Sequence, residues 1–246
     1  MQAYALTDIG QIRSTNQDYI FCSPTAVGPL PNLYIVADGM GGHKAGDYAS
    51  RFLVENLVEY IESSTDTRTV SLMREGIQAV NHSLYEESKK EDRFEGMGST
   101  IVAAVADGDT LYVANVGDSR LYLLHHHLKQ VTRDHSYVEE MVALGMMNRG
   151  SKDYLGKKNI ITRAIGTDEK VEIDFFEVPL KKGDQILLCS DGLTNMLDDK
   201  EIEKILKTDR NLRQKAEVLI NEANLNGGRD NIAVVLAAPQ ISEVAQ

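Results

Sequence analysis

The chain has 246 residues and sets 26 Lys plus Arg against 37 Asp plus Glu, a formal charge of −11. That balance, with no clustered basic run, excludes a nucleic-acid binder and a polybasic membrane anchor, since both draw affinity from grouped Lys and Arg. With 42% hydrophobic and 26% charged residues, the chain is too apolar to stay disordered and ordinary for a globular protein.

The N-terminus, Met1-Gln2-Ala3-Tyr4, has neither a basic n-region nor an apolar h-region, and no run of about 18 apolar residues follows. No membrane insertion and a cytoplasmic location are therefore expected. Cys22 and Cys189 each follow apolar, strand-like residues, which suits buried thiols in a reducing compartment.

The first strand signal is at 33–37. Ala45, Tyr48, Ala49, Phe52, Leu53, Leu57, Tyr60 and Ile61 then recur at helical spacing, and Val70, Met73, Ile77, Val80 and Leu84 do so again. Short Val, Ile, Leu and Tyr runs predict strands at 101–106, 111–116 and 121–124. Asp107-Gly108-Asp109 predicts a hairpin between the first two, which makes them antiparallel. His125-His126-His127 follows where a turn is expected, so it is read as a solvated turn and not as a metal site.

Between 136 and 160 the pattern lapses into a helical flap, opened by a possible Ser136–Glu139 capping box and carrying Arg149, Lys152, Lys157 and Lys158. A strand at 186–189, helices at 198–207 and 211–224 and a last strand at 232–236 complete the chain. Asp198 is the expected N-cap of the first of these helices, and Gly227-Gly228 closes the second region. Helices in pairs around antiparallel strands predict an α+β layered sandwich in a single domain, 1–240, with a short tail at 241–246.

A local pattern recurs at the strand ends, where an apolar run meets an aspartate beside a small residue. It appears as Val36-Ala37-Asp38-Gly39, Val116-Gly117-Asp118-Ser119 and Cys189-Ser190-Asp191-Gly192, and inverted as Gly228-Arg229-Asp230-Asn231-Ile232. One copy alone reads as a turn. Four copies in an antiparallel fold can converge on one rim, where like charges require a cation. Mg²⁺ and Mn²⁺ favour such oxygen ligands, and Gly39 leaves its own carbonyl accessible. Two such ions about 3.5–4 Å apart can hold a bridging hydroxide and clamp a phosphoryl group for in-line attack. Other phosphate chemistries fail: neither cysteine has a nearby Arg loop, and Gly39-Met40-Gly41-Gly42-His43-Lys44 places a lysine at the third glycine of a dinucleotide motif.

These motifs, together with Thr7-Asp8-Ile9-Gly10, Arg13-Ser14-Thr15-Asn16-Gln17-Asp18, Gly98-Ser99-Thr100 and Asp134-His135-Ser136, occur in an order that resembles metal-dependent Ser/Thr protein phosphatases of type 2C, in particular the compact bacterial members. The resemblance runs from about Thr7 to Leu236. It implies a four-layer αββα sandwich, two antiparallel sheets face to face and flanked by paired antiparallel helices. It implies that Asp38 bridges two Mn²⁺ or Mg²⁺ ions, with Asp191 and Asp230 completing one site and Asp18 and the Gly39 carbonyl the other. Asp118, with Asp191, matches a weaker third site, and Arg13 matches the guanidinium that grips substrate phosphate. Where animal members carry a histidine two residues after the bridging Asp, this chain has Met40. The proton donor is then open between His43, a water that His43 orients and a metal-bound water, and His43 would equally serve to cap the next helix.

The implied function is hydrolysis of phosphoserine and phosphothreonine in proteins by a monomer that opposes a cognate Ser/Thr kinase. The alternatives are a non-catalytic pseudophosphatase that docks phosphoproteins and a dedicated phosphatase of one stress-response regulator.

Overall fold

In the computed structural model, which describes residues 1–42 and 45–241, the apolar runs become strands buried on both faces. In β3 (Leu33–Met40), Leu33, Ile35 and Ala37 face a helical layer, while Tyr34 and Val36 face a second sheet. In β11 (Ile232–Ala238), Ile232, Val234 and Leu236 face helices, and Ala233, Val235 and Ala237 point inward. A strand covered on both sides has no polar face to show, which is why these segments are continuously apolar.

Two antiparallel sheets result. One has the order β1 (Gln2–Asp8), β11, β10 (Gln185–Cys189), β7 (Arg120–Leu124) and β8 (Leu128–Gln130). The other runs β2 (Asp18–Ser23), β3, β5 (Ile101–Asp107), β6 (Thr110–Val116) and β9 (Asp174–Pro179), with the short β4 (Gly98–Ser99) on the tip of β3. Helices α1 (Ala45–Ser63) and α2 (Thr69–Ser88) bury Leu53, Leu57, Ile61, Leu72 and Ile77 against the second sheet. Along the flap lie α3 (Tyr137–Ala143) and α4 (Lys152–Lys157), and a one-turn α5 (Asp191–Thr194) follows β10. The remaining pair, α6 (Asp199–Leu206) and α7 (Leu212–Leu225), covers the first sheet through Ile202, Leu206, Leu219 and Ile220. The architecture is the four-layer αββα sandwich that the sequence led us to expect.

Local chemistry explains the element ends. Asp198 and Asn211 each form reciprocal capping boxes, with Glu201 and Gln214. The Ser136–Glu139 box is only half formed: Ser136 Oγ accepts from the Glu139 N–H, but the Glu139 carboxylate turns to Arg149 and Tyr154 instead of the cap. His125-His126-His127 is the turn between β7 and β8, with His125 against Asp184 and His127 against Glu203. His43 and residues 242–246 lie outside the described residues, and with them most of the 241–246 tail.

Candidate active site

Strand register builds the site. The β2–β3 ladder sets Asp18 directly opposite Asp38, and the β1–β11 pairing of Asp8 with Ile232 brings the loop that carries Arg13 beside Asp230. Asp191 opens α5 just beyond β10, and Asp118 follows β6. A cleft of about 300 Å³ is lined by Arg13, Asp38, Gly39, Asp118, Asp191 and Asp230. Asp18 belongs to the same cluster but lies below the floor, 6% exposed, where Ser190 Oγ donates to its Oδ2 at 2.6 Å. Thus six of the residues singled out from sequence meet in one cleft with a seventh beneath it.

Gly39 is forced by packing as well as by chemistry, because a Cβ there would collide with the Gly46 carbonyl of α1. Its N–H donates to the Gln17 carbonyl at 3.0 Å. Several orienting residues had no assigned role: Thr100 and Asn231 stand in the quoted motifs, and Asn195 lies just beyond one of them. Thr100 Oγ1 accepts from the Asp38 N–H at 3.0 Å, and the Thr100 N–H returns to the Asp38 carbonyl at 2.8 Å. Asn231 accepts from the Gln17 N–H and donates to the Ile9 and Thr15 carbonyls, so a single amide staples the Arg13 loop to the start of β11. Asn195 donates to Asp191 Oδ2 at 2.8 Å. The available signal was a polar residue directly beside a strand-end aspartate, which marks Asn231 but neither Thr100 nor Asn195.

The electrostatics are those of crowded anions. Burial first, and then the charges of Asp191 and Asp230, push the Asp18 carboxyl up to about 8 despite the opposing Ser190 hydrogen bond. Burial followed by the charges of Asp18, Asp191, Asp118 and Asp230 raises Asp38 well above the carboxylate range. Asp118 is raised to about 8 by burial and Asp191, and Asp191 to about 6 by burial and Asp230. The Arg13 guanidinium donates to Asp230 Oδ2 at 2.7 Å, and this bond raises its own pKa further.

The donor set fits a hard divalent cation. Asp18 Oδ1 and Asp191 Oδ1 are buried without a hydrogen-bond partner, although an anionic oxygen in that position needs a donor or a cation. All candidate ligands are oxygens, as Mg²⁺ and Mn²⁺ prefer. Among the described residues the acidic side chains are not drawn into a closed cage; Asp230 turns to Arg13 and Asp191 to Asn195.

The flap is tied down beside the cleft. Glu139, 8% exposed, receives Arg149 Nη2 at 2.5 Å and Tyr154 Oη at 2.8 Å, so Arg149, although its side chain is mostly exposed, is paired and tethers the flap. Glu139→Ala is expected to speed amide exchange across 144–158 by about tenfold, equivalent to about 1.4 kcal/mol of lost tethering, with the sheets unaffected. Hydrogen-exchange mass spectrometry checks this directly.

Residues 11–232 match the family model described as "Protein phosphatase 2C". The chain is 42% identical to a protein named serine/threonine phosphatase stp from Listeria monocytogenes, over 99% of this chain and 98% of that one. It is 39% identical to protein phosphatase PhpP of Streptococcus pneumoniae, over 97% of each. Among solved structures, the serine/threonine phosphatase of S. agalactiae superposes with a TM-score of 0.90 at 37% identity, covering 97% of this chain and 99% of that one. Neither the structure nor these likenesses favour the non-catalytic alternative. Full-length similarity to named phosphatases, on a fold whose strands bring the acidic motifs to one rim, shows that this chain belongs to the protein phosphatase 2C family and is a protein-serine/threonine phosphatase.

Proposed function

We propose that the protein hydrolyses phosphoserine and phosphothreonine in a reaction that depends on Mn²⁺ or Mg²⁺, and so reverses the work of a Ser/Thr kinase. The observation that carries this reading is the convergence of Asp18, Asp38, Asp118, Asp191 and Asp230, two of them with orphaned buried oxygens, around a cleft that also holds Arg13. Asp38, Asp191 and Asp230 would hold one ion, and Asp38, Asp18 and the Gly39 carbonyl the second. Asp118 with Asp191 would hold a weaker third. When bound, the ions supply an activated water and positive charge for the phosphoryl oxygens.

The chain's own groups do the rest. Arg13 is half exposed, and its guanidinium would release Asp230 to present a planar pair of donors to substrate phosphate. Thr100, Ser190, Asn195 and Asn231 hold the acidic ligands and the Arg13 loop in place, so the rearrangement on binding is confined to side chains such as Asp230, which leaves Arg13. His43 is a candidate proton donor to the leaving alkoxide, either directly or through a water. The protein would act on phosphoproteins in the cytoplasm; no helix among the described residues is long and apolar enough to cross a membrane. The catalytic unit would be a monomer and would comprise residues 1–240.

Arg13→Ala should lower kcat/KM for a phosphothreonyl peptide by about 10- to 100-fold, mostly through KM, and Arg13→Lys should recover only part of it. Steady-state kinetics with saturating Mn²⁺ provides the check. For the reading as a whole, purified protein should turn over the peptide in added Mn²⁺, stop when a chelator is added and resume when Mn²⁺ is restored. Undiminished turnover in excess chelator contradicts it.

A further inference from the structure

His135 lies outside the cleft, is 6% exposed and touches none of the proposed ligands, yet it grips the residue before one of them from both sides. Its backbone N–H donates to the Gly117 carbonyl at 2.9 Å, and its ring Nδ1 accepts from the Gly117 N–H at 3.1 Å. Gly117 has few other options. Its φ of +104° and the collision that a Cβ would make with Thr100 restrict the position to glycine, and Asn115 Nδ2 reaches the same carbonyl at 3.4 Å. Asp118 follows immediately, so the direction in which its carboxylate enters the cleft depends on how Gly117 is held.

The ring's tautomer follows from its partners. An amide N–H can only donate, so Nδ1 must be unprotonated and the neutral ring carries its hydrogen on Nε2. Nε2 lies 3.2 Å from Asp174 Oδ2, which accepts that hydrogen. Arg163 Nη1 is also near Nε2, at 3.3 Å, but both are then donors, and Arg163 is satisfied by Asp174 Oδ1 at 3.0 Å. The Thr162 N–H, donating to the His135 carbonyl at 2.9 Å, fixes the backbone from which the ring projects.

We infer that His135 is a positioning residue for Asp118: with Asp174 fixing its tautomer, it locks Gly117 and so aims the Asp118 carboxylate at a divalent cation. The inference rests on the metal-centred reading above. It is separable from general packing because two amides each mimic one ring nitrogen. The Asn side-chain oxygen sits where Nδ1 does and can still accept from Gly117, whereas the Gln amide nitrogen sits where Nε2 does and can reach only Asp174.

The test is calorimetric titration of the full chain with Mn²⁺ alone. Asp118→Asn identifies the site in question by losing the weakest binding event. His135→Gln should weaken that event on the order of tenfold, with tighter events unchanged, while His135→Asn keeps it within about threefold. Equal weakening by both amides, or by neither, overturns the inference. Full retention of every event by Asp118→Asn overturns the placement of an ion at Asp118 instead. Nitrogen NMR of the wild-type ring at pH 7 tests the geometry without a variant: an Nε2–H, Nδ1-acceptor imidazole is expected, and an Nδ1–H tautomer contradicts the clamp.

Discussion

Asp38→Asn is expected to reduce phosphopeptide turnover by at least about a thousandfold while making the metal-free protein more stable. Both effects follow from one position. Asp38 faces Asp18 across the β2–β3 ladder and carries the charges of four neighbouring aspartates in addition to its burial. An asparagine keeps the shape and the Thr100 backbone contacts but removes the anion that would lie between two cations. Without metal, the same substitution removes a carboxyl that burial and its neighbours' charges force to fold with a proton, a cost that grows as pH rises. With about 2 to 4 °C in Tm per kcal/mol for a chain of this size, a gain of about 5 °C at pH 8 in chelator is expected. Turnover near the wild-type level, or an unchanged or lower Tm, would contradict the account.

The metal-free wild type should lose stability as pH rises, the reverse of the usual behaviour of an acidic protein. Asp18, Asp38, Asp118 and Asp191 all have folded-state pKa values raised above the unfolded range, to about 8, well above, about 8 and about 6. From about pH 4 to about pH 8 the folded protein therefore holds protons that the unfolded chain has released. Stability from these groups is complete below pH 4 and is lost as pH climbs through 6 to 8. A fall in Tm of about 5 °C or more between pH 5.5 and 8 is expected in chelator. Added Mn²⁺ should reverse the fall at pH 8 and release protons on binding, because the ion takes the ionised carboxylates. Thermal scans with and without Mn²⁺ decide it, and a metal-free Tm that rises across this range would contradict the raised carboxylates.

What was legible in the sequence follows burial. The six strands read from it are central or buried on both faces, and β3, β5 and β11 are unbroken apolar runs. The unread strands β1, β2 and β9 are sheet edges, half-buried and mixed in composition, and β4 and β8 are two or three residues long. A pattern that depends on burial weakens at an edge. Asp38, Asp118 and Asp191 were legible because an aspartate after an apolar run is conspicuous, and Asp230 because it sits just ahead of one, whereas Asp18 and Arg13 came from the resemblance alone. What spacing could not convey was depth: Asp18 lies beneath the cleft floor, and Arg13 is turned onto Asp230. Asn231, Ser190 and His135 escaped assignment because their roles are made of long-range backbone contacts, such as Asn231 with Ile9 and His135 with Gly117.

The acidity of the chain thus has a structural address at the ends of β3, β6 and β10, at the start of β2 and just ahead of β11. The most direct test is an anomalous difference map at the manganese absorption edge from crystals grown in Mn²⁺. Two strong peaks sharing the Asp38 carboxylate are expected, one also against Asp191 and Asp230 and the other against the Gly39 carbonyl on the Asp18 side. A map with no manganese on Asp38 would contradict it.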